Sequence, residues 1–211
     1  MKNIIYTLVS FLTMQLGLAQ EKHVTIFADQ STSVQIDKKA LTKKLRKTLV
    51  TEVMLNSKTT IEVKLIFSNT ASITNSTVFE FTPSVFDTKS NGSNSDNIFM
   101  LKKLHQAQLQ QSKFQFITKV VNFVTSIKGI SKSTQIIEAV VPLSKLKQPS
   151  KIILISDFIQ ESKLRNFTKI RVRSEKQMVA IALKDVVSIK KKYIIPKVIQ
   201  KMDIICLLPV V

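Results

Sequence analysis

Glycine is scarce in this chain, with three in 211 residues, and there is no tryptophan, one cysteine and two histidines. So few glycines leave no room for a phosphate-cradling glycine loop, whose turns need backbone without a Cβ. A single cysteine cannot close an intramolecular disulfide, so the fold must rest on its core. Cys206 lies in Ile204-Ile205-Cys206-Leu207-Leu208 and reads as a small buried hydrophobe of a last strand, a reactive thiol or intermolecular bridge being the alternative. His23 and His105 stand far apart, match no metal-ligand spacing, and read as structural or solvated. Without tryptophan and with few other aromatics, base-stacking platforms are lacking. Acid is in short supply too. Asp and Glu total 14 against 32 Lys and Arg, a formal charge of +18. That balance favours acidic or polyanionic partners, yet lysine is spread over every segment rather than gathered in a nucleic-acid-binding arm.

What is present begins with Met1 to Ala19, which has the build of a secretory signal peptide. Lys2 supplies the positive end, Ile4 to Leu18 an apolar stretch diluted by Thr7, Ser10, Thr13 and Gln15, and Gly17-Leu18-Ala19 a small-x-small cleavage site. Those polar interruptions argue against the alternative, a membrane-spanning anchor. The expected organisation is a signal peptide at 1–19 and a single domain over 20–211, exported to the periplasm or secreted by a bacterial cell. No internal repeat and no interdomain linker is visible.

The remaining chain alternates strand and helix patterns. Val24 to Ala28 reads as a first strand, and Leu41, Leu45 and Leu49 recur at fourth positions in an amphipathic helix expected over Ser33 to Met54, its lysines solvated or in contact with an anion. Thr60 to Asn69 alternates as a second strand, and Thr77 to Thr82 is a shorter third closed by Pro83. A turn-rich stretch at 84–97 reads as a mobile loop. A long helical pattern from Ile98 to Ile127 follows, capped by Asp96 or Asn97, with a break expected near Gln111 and an end at Gly129. Another helix opens at Thr134 and is kinked or ended by Pro142; Ile152 to Ile155 is a strand. After an unassigned polar stretch, Met178 to Leu183 reads as a strand, Val186 to Met202 as a helix interrupted at Pro196, and Ile204 to Val211 as a final strand. Such alternation of Val, Ile and Leu runs with helices predicts an α/β fold with a mostly parallel sheet covered by helices on both sides.

Two of these strands end in acid. Phe27-Ala28 runs into Asp29-Gln30-Ser31-Thr32-Ser33, an Asp-x-Ser-x-Ser pattern, and Ile152-Ile153-Leu154-Ile155 runs into Ser156-Asp157. Carboxylate and hydroxyl oxygens suit hard divalent cations, and the carboxyl ends of parallel strands are where open α/β sheets place ligands. Between them, Lys132-Ser133-Thr134-Gln135-Ile136 places a threonine at a helix start. Here the chain resembles the von Willebrand factor type A family, whose metal-ion-dependent adhesion site combines Asp-x-Ser-x-Ser, a middle-loop threonine and an aspartate after the fourth strand. Thr32, Ser133 and Phe158 stand where that family often has a small residue or glycine.

The resemblance covers most of the chain after residue 22. It implies a doubly wound, mostly parallel sheet with a short antiparallel edge strand, and a metal set of Asp29, Ser31, Ser33, Thr134 and Asp157. Ser31 and Ser33 would then ligate Mg²⁺, or Mn²⁺ or Ca²⁺, directly. Thr134 would join them when a ligand is engaged, and Asp29 and Asp157 would act mostly through bound waters. The remaining coordination position would take an acidic side chain from a protein partner, so the resemblance implies a binding module and no enzyme. On the residues alone, the alternative is that the two aspartates cap helices and bind turn amides without a metal. Two further readings stand beside it: a metal-dependent hydrolase of doubly wound fold, and a scaffold that keeps the fold and has lost the metal. Neither strand end carries an Asp-x-Asp pair or a nucleophile elbow, which weighs against the hydrolase.

Overall fold

The computed structural model describes residues 21–31, 37–66, 76–87, 95–131, 134–136, 139, 151–157, 161–162, 165–166, 174–192 and 203–207. Its centre is strand β1 (Lys22–Asp29), whose side chains are buried from Val24 onward. Apolar residues on both faces of one strand require cover on both, which is the signature of an inner strand of a parallel sheet. On one side β1 pairs in parallel with β2 (Thr59–Ile66), and on the other with β4 (Lys151–Ile155), also in parallel. Strand β3 (Ser76–Phe81) runs antiparallel to β2 along one edge, and β7 (Ile204–Leu207) lies parallel to β4 along the other. The five strands take the order β3-β2-β1-β4-β7, with a separate two-stranded ribbon of β5 (Glu161–Ser162) and β6 (Arg165–Asn166). The chain is therefore an α/β protein of Rossmann-like build, mostly parallel with one antiparallel edge strand.

One face of the sheet is covered by α1 (Lys38–Glu52) and α2 (Ser95–Ser126). Leu41, Leu45 and Leu49 of α1 and Ile117, Val120, Val121 and Val124 of α2 pack on Val24, Ile26, Ile61, Val63, Ile153 and Ile155. Phe79 and Phe81 of β3 meet Phe123 and Phe116 of α2 at ring-centroid distances of 5.4 and 5.6 Å. On the opposite face Phe27, Ile66, Ile152 and Leu154 pack with Ile136 and Ala139 of the segment after Thr134.

Helix α1 begins at Lys38 rather than Ser33 because Asp37 caps it, its Oδ1 accepting from the amides of Lys39 (2.9 Å) and Ala40 (3.1 Å). Helix α2 runs without the break expected at Gln111, glutamine being a good helix former, and it begins at Ser95, ahead of the expected cap at Asp96 or Asn97. The largest departure is at Met178–Leu183, read as a strand, which lies inside helix α3 (Glu175–Lys192). The alternation of Val179 and Ile181 imitates a strand, but Val179, Leu183, Val186 and Val187 also fall at helical spacing. Ser174 decides between them by accepting from the Gln177 amide (3.2 Å) at the helix start. Cys206 lies in the last strand, as expected, but is exposed rather than buried, since β7 is an edge strand. The breaks expected at Pro142 and Pro196 lie outside the described residues. Among the described residues no helix is long and apolar enough to cross a membrane.

Candidate metal site at the carboxyl edge of the sheet

The parallel register sets Ala28 of β1 beside Ile155 of β4, so the residues that follow them, Asp29 and Ser156, emerge side by side at the carboxyl edge. Asp157 comes directly after Ser156 at the same edge. Chain coming off the end of α2 returns to this point. The amides of Ile130 and Ser131 both donate to the Gln30 carbonyl (2.8 and 2.9 Å), and Ser31 and Ser131 form an isolated parallel bridge. The Gln30 amide in turn donates to the Ile66 carbonyl at the end of β2 (2.9 Å). Thr134 is brought over the end of β1 by this connection, 105 residues away from Asp29 in sequence.

The Asp29 carboxylate is the hub of the site. Its Oδ1 accepts from the Ser31 amide (2.7 Å) and from the Thr134 hydroxyl (3.0 Å), and its Oδ2 accepts from the Ser156 hydroxyl (2.6 Å). All four residues are buried, Asp29 at 4% exposure and Ser156 at 0%. A carboxylate in such a position is tolerated only because charge-assisted donors replace the water it has lost. The bond to the Ser31 amide is the turn contact that the metal-free reading anticipated; the two hydroxyls, from distant parts of the chain, go beyond a local turn.

Of the five residues predicted for the site, Asp29, Ser31 and Thr134 are brought together by direct bonds. Asp157 is placed at the same edge by the strand register, and Ser33 lies outside the described residues. Ser156 was not among them, although it makes the shortest bond to Asp29. Its only signal in the sequence is its place between a buried strand and an acid. The strand register that sets it beside Asp29 cannot be read from either segment alone.

The donor set is hard and oxygen-only, which suits Mg²⁺, Mn²⁺ or Ca²⁺ rather than a thiol- or imidazole-seeking metal. A hydroxyl that donates its hydrogen to a carboxylate keeps its own lone pairs for another acceptor role, so Thr134 bonded to Asp29 remains able to meet a cation. A carboxylate offers about four acceptor sites, and three at Asp29 are taken by donors, which suits it to act on an ion through water. The residues thus fit a divalent ion held by hydroxyls and water with carboxylates behind them. Among the described residues no three His, Cys, Asp or Glu side chains cluster, so any such site would depend on serine and threonine for its count of ligands. Compared with protein-family models and with curated proteins, the chain matches none.

Proposed function

We propose that this protein is an exported binding module of von Willebrand factor A-like type, which engages an acidic side chain of a protein partner through a divalent cation at the carboxyl edge of its sheet. The observation that carries the reading is the convergence on one buried carboxylate, Asp29, of donors from the Asp-x-Ser turn, from Thr134 and from the end of β4. The strand order, with an antiparallel edge strand beside β2, is in keeping with it. Ser31 and Thr134 would hold the ion, with Ser33 beside them, and Asp29 and Asp157 would balance its charge. The ion supplies an open coordination position for a carboxylate. The basic surface of the chain, +18 overall, steers an acidic partner toward it.

The same contacts favour one other reading, a hydrogen-bonded knot that ties β1, β4 and the Thr134 segment together without an ion. Calorimetric titration of the folded chain with Mg²⁺ and Mn²⁺ separates the two, run with and without acetate or an acidic peptide, beside Ser31→Ala and Asp157→Ala. Expected is saturable binding that weakens about tenfold or more in either variant and tightens when carboxylate is present. No saturable binding up to millimolar ion, from a protein whose circular dichroism is native, would leave the knot as the reading that stands.

A further inference from the structure

The helical layer on one face of the sheet carries a surface that this site does not use. Glu52, at the end of α1, reaches Lys22 and Lys151 at the starts of β1 and β4, so α1 ends at the amino edge of the sheet. There the Lys113 ammonium of α2 donates to the Val50 carbonyl of α1 (2.8 Å). From Lys113 toward its carboxyl end α2 packs on the sheet; its earlier residues, 95–112, continue past the amino edge for about 27 Å at 1.5 Å per residue. In that projecting half every described side chain from Asn97 to Ser112 is exposed or half-buried, and Phe99, Met100 and Leu104 are 59, 69 and 55% exposed.

Phe116 and Phe123 mark the side of α2 that meets β3, and at about 100° per residue Met100 and Leu104 point away from it by roughly 120 to 160°. On α1 the buried Leu41, Leu45 and Leu49 mark the sheet side, and Lys39, Lys43, Arg46 and Lys47, all exposed, lie on the far side. Both helices therefore turn an outward face to solvent, cationic on α1 and, in the projecting half of α2, carrying Met100 and Leu104 among polar residues. No carboxylate occurs from Lys38 to Thr51 or from Asn97 to Ser126. A solvated helix face normally mixes both signs of charge and keeps large apolar groups inside.

We infer that this outer helical layer docks on an anionic lipid bilayer, with Lys39, Lys43, Arg46 and Lys47 against the head groups and Met100 and Leu104 entering the interface. Cations of this kind gain from the negative surface potential, and exposed apolar groups gain from leaving water at the head-group boundary. A nucleic acid would satisfy the cations but has no place for Met100 and Leu104, which the head-group boundary of a bilayer accepts. The surface is the outer face of the helical layer rather than the carboxyl edge itself, so a docked molecule leaves Asp29 free to meet a partner.

The test is co-sedimentation of the full chain with vesicles of phosphatidylcholine alone and with added phosphatidylglycerol. It is run beside a variant with Lys39, Lys43, Arg46 and Lys47 replaced by Gln, and beside Met100→Ser/Leu104→Ser. Residues 1–19 are common to all three proteins, so differences between them report the helical layer. Expected is partitioning that rises with phosphatidylglycerol, falls by roughly several hundredfold in the variant lacking all four cations, and also falls in the Met100/Leu104 variant. All these substitutions are on exposed positions, and circular dichroism checks that each variant is folded. Equal binding to both vesicle types overturns the proposal. So does binding that ignores Met100 and Leu104 and is matched by duplex DNA, which would mark a general polyanion surface instead.

Discussion

At the scale of single residues, the Asp29 carboxylate is tightly constrained, because three donors from separate places share it. Replacing it by alanine takes their shared acceptor from the Ser156 and Thr134 hydroxyls, both essentially inaccessible to water. An abandoned buried donor costs about 1–3 kcal/mol, so Asp29→Ala should lose roughly 3 kcal/mol or more in urea unfolding. Ser156→Ala removes one donor and leaves two, and should lose only about 1 kcal/mol. Equal and small losses in both would mean that the carboxylate is solvated in solution and that the site is not built as described. Asp29, Ser31 and Thr134 were legible through the Asp-x-Ser-x-Ser pattern and the family resemblance it carries, a signal that lies in short local stretches. Ser156 was illegible for the opposite reason. Its role depends on which strand lies beside β1, a non-local fact that neither flank carries.

Among the elements, those with strong local patterns were the legible ones. The leucines of α1, the alternation of β2 and the apolar runs of β1 and β4 announce themselves, since α1 and β2 each bury one consistent face and β1 and β4 bury both. Helix α3 was misread because its apolar residues satisfy two periods at once, and its deciding cap, Ser174, is one short hydrogen bond. The unbroken length of α2 also escaped, since the largely polar run Gln106 to Lys113 interrupts its apolar pattern where the helix leaves the core. Its two halves should differ in stability for that reason. Ile117, Val120, Val121 and Val124 are buried in the core, whereas from Asn97 to Ser112 none of the described side chains is fully buried. Native-state amide exchange should therefore be slow over 117–126, near the global unfolding limit, and faster by at least about tenfold over 97–110. Uniform protection along the whole helix would show that the projecting half is covered in solution, by a second copy or by another part of the chain.

For the molecule as a whole, the amino edge of the sheet is held by a charge cluster beside the apolar packing of Val53 and Phe81. Glu52, nearly buried, lies 2.8 Å from Lys22 and 2.6 Å from Lys151, and Lys151 lies 2.8 Å from Asp203 just before β7. One carboxylate thus joins the end of α1 to the starts of β1 and β4, and through Lys151 to the approach to β7. Burial alone would raise the Glu52 pKa above its ordinary 4.5, but bonds from Lys151 and Lys22 outweigh it and the net direction is down. A carboxylate whose folded pKa lies below its unfolded one contributes its stabilisation in full above the unfolded value, and loses it as pH falls through the folded one. Lys151 is shifted up by Asp203 and Glu52 despite its own desolvation, so its share is present below 10.5 and fades only as pH rises past its folded value. The cluster is therefore intact at neutral pH and fails on the acid side. Glu52→Gln removes the charge and leaves two ammonium groups facing each other, which should cost about 3 kcal/mol at neutral pH. Measured by urea midpoint between about pH 7 and about pH 3, the difference between wild type and Glu52→Gln should shrink as the wild-type carboxylate takes up its proton. Two curves that stay parallel to the lowest pH would show that Glu52 does not titrate in the fold's working balance, and that the amino edge is held by its backbone ladder and apolar packing alone.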